Sequence, residues 1–111
     1  MNSSWSHTYD YLDGRGAHYG ITADELIAKT PSVIQGDADA VLSFWQQKDI
    51  SHIAPTSHHP ELAGSFSNWL PEDPGPNQAR HDHVMSTSEQ ANALIDNQQD
   101  AQLLHQDIHL W

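Results

Sequence analysis

The chain has 111 residues, a length that fits one domain and leaves no room for a separate targeting module beside a catalytic one. Four Lys+Arg against 15 Asp+Glu give a formal net charge of −11 with histidine neutral, which excludes the broad basic face of a free-standing nucleic-acid binder but not a nuclease. The absence of cysteine removes disulfides, thiolate zinc sites and cysteine nucleophiles together, so any metal must be held by histidine, carboxylate or amide oxygen.

No internal repeat is present, no stretch reaches the 18 apolar residues of a membrane span, and Met1-Asn2-Ser3-Ser4-Trp5 lacks the basic and apolar regions of a signal peptide. These features predict a soluble, intracellular protein with no membrane partner, cytoplasmic in location and formed as a single domain over 1–111. In chain order, Trp5, Tyr9, Tyr11 and Tyr19 around Asp13-Gly14-Arg15-Gly16 predict irregular structure or a short hairpin packed on the domain. Thr22-Ala23-Asp24-Glu25 has the spacing of a capping box, opening a helix from about Ala23 to Lys29 that Pro31 stops. A second helix runs from about Asp37 or Asp39 to Gln47, with Val41, Phe44 and Trp45 on one face and an acidic start that suits the helix dipole.

From Lys48 the pattern changes. Asp49-Ile50-Ser51-His52-Ile53 alternates as a strand does, Pro55 ends it, and a loop rich in Ser, His, Pro and Gly runs to Asn68. Trp69-Leu70 makes a brief second strand, Pro71 to Pro76 a turn, and Asn77 to His83 a helix with Pro76 near its first turn. Ser86-Thr87-Ser88-Glu89 is another capping box, opening a helix from about Thr87 to His105 whose Ala91, Leu94, Ile95, Leu104, Ile108 and Trp111 track one side. Trp5, Trp45, Trp69 and Trp111 are core or interface anchors. The fold class is α+β: strand, loop, strand and helix over 48–85, flanked by helical or irregular elements over 1–47 and 86–111.

Five of the nine histidines lie between Lys48 and His83, and the chemistry concentrates with them. Hydrolysis of a phosphodiester needs a base of pKa near 7 to activate water, which imidazole supplies, and a divalent cation to stabilise the charge developing on oxygen. An asparagine amide can hold an imidazole in one tautomer or ligate a hard cation through oxygen, and an arginine offers a planar fork to phosphate. His52, Asn68, Asn77 and Arg80 are such a set, and Asn77 and His81, four residues apart on a helix, face the same way.

The run Asp49-Ile50-Ser51-His52-Ile53-Ala54-Pro55, then Asn68-Trp69, then Asn77-Gln78-Ala79-Arg80-His81 resembles the HNH branch of the His-Me finger (ββα-metal) nucleases. The resemblance covers about a third of the chain and implies a ββα-metal core over 48–85. It also implies a metal-dependent endonuclease acting on DNA. In that reading His52 is the general base and Asn68 orients it or the metal site. Asn68, Asn77 and His81 hold Mg²⁺ or Mn²⁺, and Arg80 grips a phosphate. Two departures stand out: Ser51 occupies the place where many members carry an Asp or His metal ligand, and Asn77 stands where the family name implies histidine. Asp49, sharing a strand side with Ser51 and not with His52, is read as structural.

The other candidates have plainer readings. His58 and His59 are exposed loop residues, His105 and His109 complement a helix C-terminus, Gly14-Arg15-Gly16 is a turn, and Glu72-Asp73 belong to a solvated turn. A single nuclease site breaks one strand, so double-strand cutting calls for a homodimer, and the family makes a phage or mobile-element origin plausible. The alternative is a non-enzymatic acidic protein, a nucleic-acid mimic or an inhibitor of a basic protein partner, suggested by the −11 charge. A third reading is a histidine-only zinc domain.

Overall fold

Helix starts are set by side chains that satisfy the unpaired N–H groups of a first turn. The computed structural model describes the backbone of residues 3–109 and the side chains of residues 4–106. In it, Thr22 and Glu25 form both halves of a capping box ahead of α2 (Ala23–Lys29), and Asp37 accepts from the Ala40 N–H at the start of α3 (Ala38–Gln46). Both elements fall where the sequence predicts them.

Residues 3–21 form neither the irregular structure nor the hairpin expected of them. They fold as α1 (Ser3–Gly16), then a 3-10 turn over Ala17–Tyr19 that ends at Gly20 with φ 74°. Tertiary packing overrides the poor local propensity of this glycine-punctuated stretch. Thr8 and Leu12 are fully buried, the Thr8 hydroxyl donates to the Ala38 carbonyl at 2.9 Å, and Arg15 donates to the carbonyls of Trp45 and Lys48 at 2.6 Å each. Arg15 thus caps the C-terminal end of α3, where unpaired carbonyls collect. Gly16 is required sterically, since a Cβ there would lie 2.1 Å from the Ile21 carbonyl oxygen.

Strands β1 (Asp49–His52) and β2 (Trp69–Glu72) pair antiparallel, with Asp49 opposite Glu72 and His52 opposite Trp69. β2 runs further than predicted and all four of its residues are buried. Glu72 is therefore an interior strand residue rather than part of a solvated turn. Pro71 is tolerated because a two-stranded ribbon leaves one edge of each strand unpaired. Helix α4 (Pro74–Arg80) starts earlier than predicted, with Pro74 and Pro76 in a first turn that needs no N–H donors, and packs on β1; it also ends short of the predicted His83, so His81 is not on the helix and the helical i, i+4 pairing with Asn77 does not form.

The last helix, α5 (Thr87–His109), opens with the predicted box: Ser86 N–H donates to Glu89 at 2.9 Å and Glu89 N–H to the Ser86 hydroxyl at 3.1 Å. Its inward face is the predicted one only in part: Leu104 packs against the core, but Ala91, Leu94 and Ile95 do not. Ala93, Asn97 and Ala101 are buried, whereas Leu94 and Ile95 are 56% and 55% exposed. Small residues let α5 approach α3 and β2 closely, and Asn97 donates to the Pro71 carbonyl at 2.7 Å. Of the predicted stripe, the side chains of Ile108 and Trp111 lie outside those described, as does that of His109.

The core gathers Leu12, Leu26, Ile34, Phe44, Trp45 and Trp69 between α1, α2, α3 and the hairpin. Trp45 Nε1 is satisfied by the Thr30 hydroxyl at 2.9 Å. A smaller cluster of Leu70, Met85 and Ala93 seats α5 on β2. Among the described residues no helix is long and apolar enough to cross a membrane.

Candidate active site at the hairpin

His52 ends β1 half-buried, and its Nε2 lies 2.8 Å from the Ala63 carbonyl oxygen. A carbonyl can only accept, so Nε2 carries the proton and Nδ1 keeps the lone pair of the neutral ring. Burial of the ring pushes its pKa below the usual histidine value, and the bond to Ala63 opposes this without cancelling it. The imidazole is thus a neutral base at pH 7 with a defined basic atom.

The carbonyl that fixes this tautomer belongs to the loop between the strands, and Asn68 shapes that loop. Its Oδ1 accepts from the Ala54 N–H at 2.9 Å, while its Nδ2 donates to the carbonyls of Ala54 at 3.1 Å and Leu62 at 3.2 Å. The side chain ties the start of the loop to the residue before Ala63. Asn68 therefore bonds to the backbone of the loop whose Ala63 carbonyl meets His52.

A cleft of about 330 Å³ brings His52 together with Asn77 and His81, and with Tyr19, Thr56, Ser57 and Asp82. Asn68 and Arg80 are not among its lining residues. His81 follows the last residue of α4 with φ 55° and ψ −118°, the only positive φ of a non-glycine residue among those described. Such a conformation costs of order 1–3 kcal/mol in a residue bearing a side chain and concentrates at functional sites. Beside it, Asp82 is held below the usual carboxylate range, first by its bond to His58 and also by the nearby His81. His58 and His59 are exposed, as predicted, each within reach of one carboxylate, Asp82 at 3.4 Å and Glu61 at 3.2 Å.

Arg80 is placed elsewhere. It is 8% exposed, with Nη1 donating to Glu72 at 3.2 Å and to Glu89 at 3.1 Å, and Nη2 donating to Glu72 and to the Ser51 hydroxyl. Its fork is filled by the protein's own carboxylates, joining β2, α4 and α5, and is not presented to a phosphate. The remaining cations are committed too. Lys48 meets Asp73 at 2.7 Å and Asp100 at 2.6 Å. Lys29 donates to the Trp69 carbonyl at 2.9 Å and lies 4.4 Å from the centroid of the Phe66 ring. Arg15 caps α3 and also donates to the Tyr11 hydroxyl at 2.7 Å.

The donors implied for a divalent ion do not fit one as they stand. Asn68 spends its amide oxygen on the Ala54 N–H. Asn77 places Oδ1 at 2.8 Å from the Ser51 hydroxyl and donates through Nδ2 to Asp49 at 2.9 Å. Only His81 is exposed, and among the described residues no group of three or more His, Asp or Glu side chains is arranged to hold a metal. The two positions at which the chain departs from its family resemblance, Ser51 and Asn77, are hydrogen-bonded to each other, and Asp49 supports that pair as a structural residue.

Tyr19 is the site residue that spacing did not reveal. Its ring centroid lies 4.6 Å from that of His52 at an interplanar angle of 62°, and 5.0 Å from that of His18. The contact spans more than thirty positions of chain, and nothing local to Tyr19 signals it. No family model matches the chain, and neither the curated proteins nor the solved structures compared with it include a match.

Proposed function

We propose that the protein is an endonuclease that cleaves nucleic-acid phosphodiester bonds through a ββα unit, with His52 as general base. The observation that supports this most is the state of His52: neutral, locked in one tautomer by Ala63, and open through a cleft shared with Asn77 and His81. In this reading Nδ1 takes a proton from the attacking water as its oxygen bonds to phosphorus, the bond from phosphorus to the leaving sugar oxygen breaks and that oxygen takes its proton from solvent, and Asn68 keeps the base aligned by fixing the loop. The strain at His81 serves to aim its ring at the cleft. DNA is the substrate that the family resemblance implies. Of the side chains implied for Mg²⁺ or Mn²⁺, Asn68 and Asn77 are engaged with the protein and only His81 is exposed.

The test is nicking of supercoiled plasmid in Mg²⁺, in Mn²⁺ and in EDTA, by the natural chain and by His52→Ala. The expected result is nicking that His52→Ala reduces by about 10²–10⁴-fold, the range for loss of a general base. An unchanged rate in a cleanly folded His52→Ala would remove His52 from the chemistry. Activity lost in EDTA would show that the cleavage depends on a divalent ion.

A second reading is favoured by a different observation, the commitment of all four basic side chains to internal partners. The exterior is then dominated by carboxylates, a surface suited to a basic protein partner and repelled by phosphates. Calorimetric titration with a lysine-rich peptide at 50 and 300 mM NaCl distinguishes it. Tight binding that weakens with salt, together with no nicking, would favour this reading over the nuclease.

A further inference from the structure

The cleft has a wall that belongs to neither strand nor to α4. Tyr19 comes from the 3-10 turn after α1, more than thirty residues before His52, and it lines both the His52 cleft and an adjoining hollow with Arg15, His18, Asp49, Ile50 and Asn77. Its ring meets the imidazole in a tilted, edge-type contact, a geometry that aromatic pairs prefer and that restricts rotation of the smaller ring. The turn is also locked to the loop. A Cβ on Gly64 would lie 2.6 Å from the Tyr19 carbonyl oxygen, so the backbone next to Ala63 presses directly on the backbone of Tyr19. The imidazole is thereby held on two sides, by the Tyr19 ring and by the carbonyl of a loop that rests on the same residue.

We propose that Tyr19 is a positioning residue for His52: its ring sets the imidazole rotation that keeps Nε2–H on Ala63 and leaves Nδ1 facing the cleft. The proposal rests on the reading of His52 as the base, and it makes the first helical segment part of the site rather than a flanking ornament. Without the ring, the imidazole can turn about its χ2 bond, whose energy profile is broad for a histidine. Both tautomers then become populated. The charged and titratable groups around the ring are His81 and Asp82 across the cleft, with Arg15, His18 and Asp49 in the adjoining hollow; a substitution at Tyr19 removes none of them, though it takes a ring contact from His18.

The experiment uses the full chain with Tyr19→Phe and Tyr19→Ala, and records the ¹⁵N spectrum of the His52 ring beside the nicking rate. Tyr19→Phe keeps the ring and should retain a single Nε2–H tautomer and a rate within about twofold of the natural chain. Tyr19→Ala should show mixed tautomers and a rate reduced about 10–100-fold, the range for loss of a group that orients another, with KM little changed. Should Tyr19→Ala fail to fold, Tyr19→Leu fills the space without an aromatic edge and is expected to show the same mixed tautomers. A folded Tyr19→Ala or Tyr19→Leu that keeps His52 in one tautomer overturns the proposal. The spectrum reads the positioning even if no variant cleaves nucleic acid, so failure of the nuclease reading and failure of this one are separate results.

Discussion

The four Nη–H bonds of the Arg80 guanidinium go to two carboxylates and a hydroxyl, and that decides what its substitution does. Removing it leaves Glu72, itself 4% exposed, as a buried charge without its partner. A loss of about 3–5 kcal/mol is typical of breaking such a pair. Arg80→Ala should therefore lower the urea midpoint steeply, with any fall in nicking following the loss of folded protein. A stable Arg80→Ala with weakened DNA binding would restore the phosphate-gripping role. His52 makes the opposite kind of residue-level statement. Because burial depresses its pKa, the unfolded chain binds more protons at mildly acid pH. Its contribution to stability is present above the ordinary histidine value of about 6.5 and is lost as pH falls through the folded value. Urea melts of the natural chain and His52→Gln between pH 7.5 and 5 should converge as the pH drops. Parallel curves would mean the ring titrates alike in both states.

At the level of elements, the capping box of α5 is the simplest to test: Ser86→Ala removes the hydroxyl that accepts the Glu89 N–H and should cost about 1 kcal/mol, read as a shift in thermal midpoint. That box was legible because its two partners are three residues apart, as were the start of α2 at Thr22, the acidic start of α3 and the alternation of β1. What was not legible depends on distant residues. Gly14 and Gly16 speak against a helix locally, and α1 forms because Leu12, Thr8 and Arg15 find partners on α3. On α5 the apolar spacing pointed to Leu94 and Ile95, but close approach to α3 and β2 selects the smaller face of Ala93, Asn97 and Ala101. For the site, the grouping of His52, Asn77 and His81 could be read from the chain, although His81 stands one residue beyond α4 rather than on it. The engagement of Asn68 with the loop backbone and of Arg80 with Glu72 could not, since a side chain's partner is a three-dimensional fact.

Taken as a whole molecule, the chain carries 15 carboxylates and only four basic side chains, and the structure uses those four as internal fasteners. Arg15 ties α1 to α3, Lys29 ties α2 to β2, Lys48 joins the approach to β1 with α5, and Arg80 joins β2, α4 and α5. Each of these side chains is also the residue after which trypsin cuts. That protease must draw several residues of extended chain, with the basic side chain free, into its own cleft, so none of the four bonds is a substrate until the surrounding packing opens. Native protein should survive a trypsin concentration that degrades an equally sized loop-rich protein within minutes. Its digestion rate should rise with urea in proportion to the unfolded population, and Arg80→Ala should be digested faster although it has one site fewer. Rapid early nicking at Lys29 or Arg15 under native conditions would show that α1 and α2 open independently of the rest. Resistance until global melting would make the proteolytic clock a direct reading of how these four cations bind the elements into one cooperative unit.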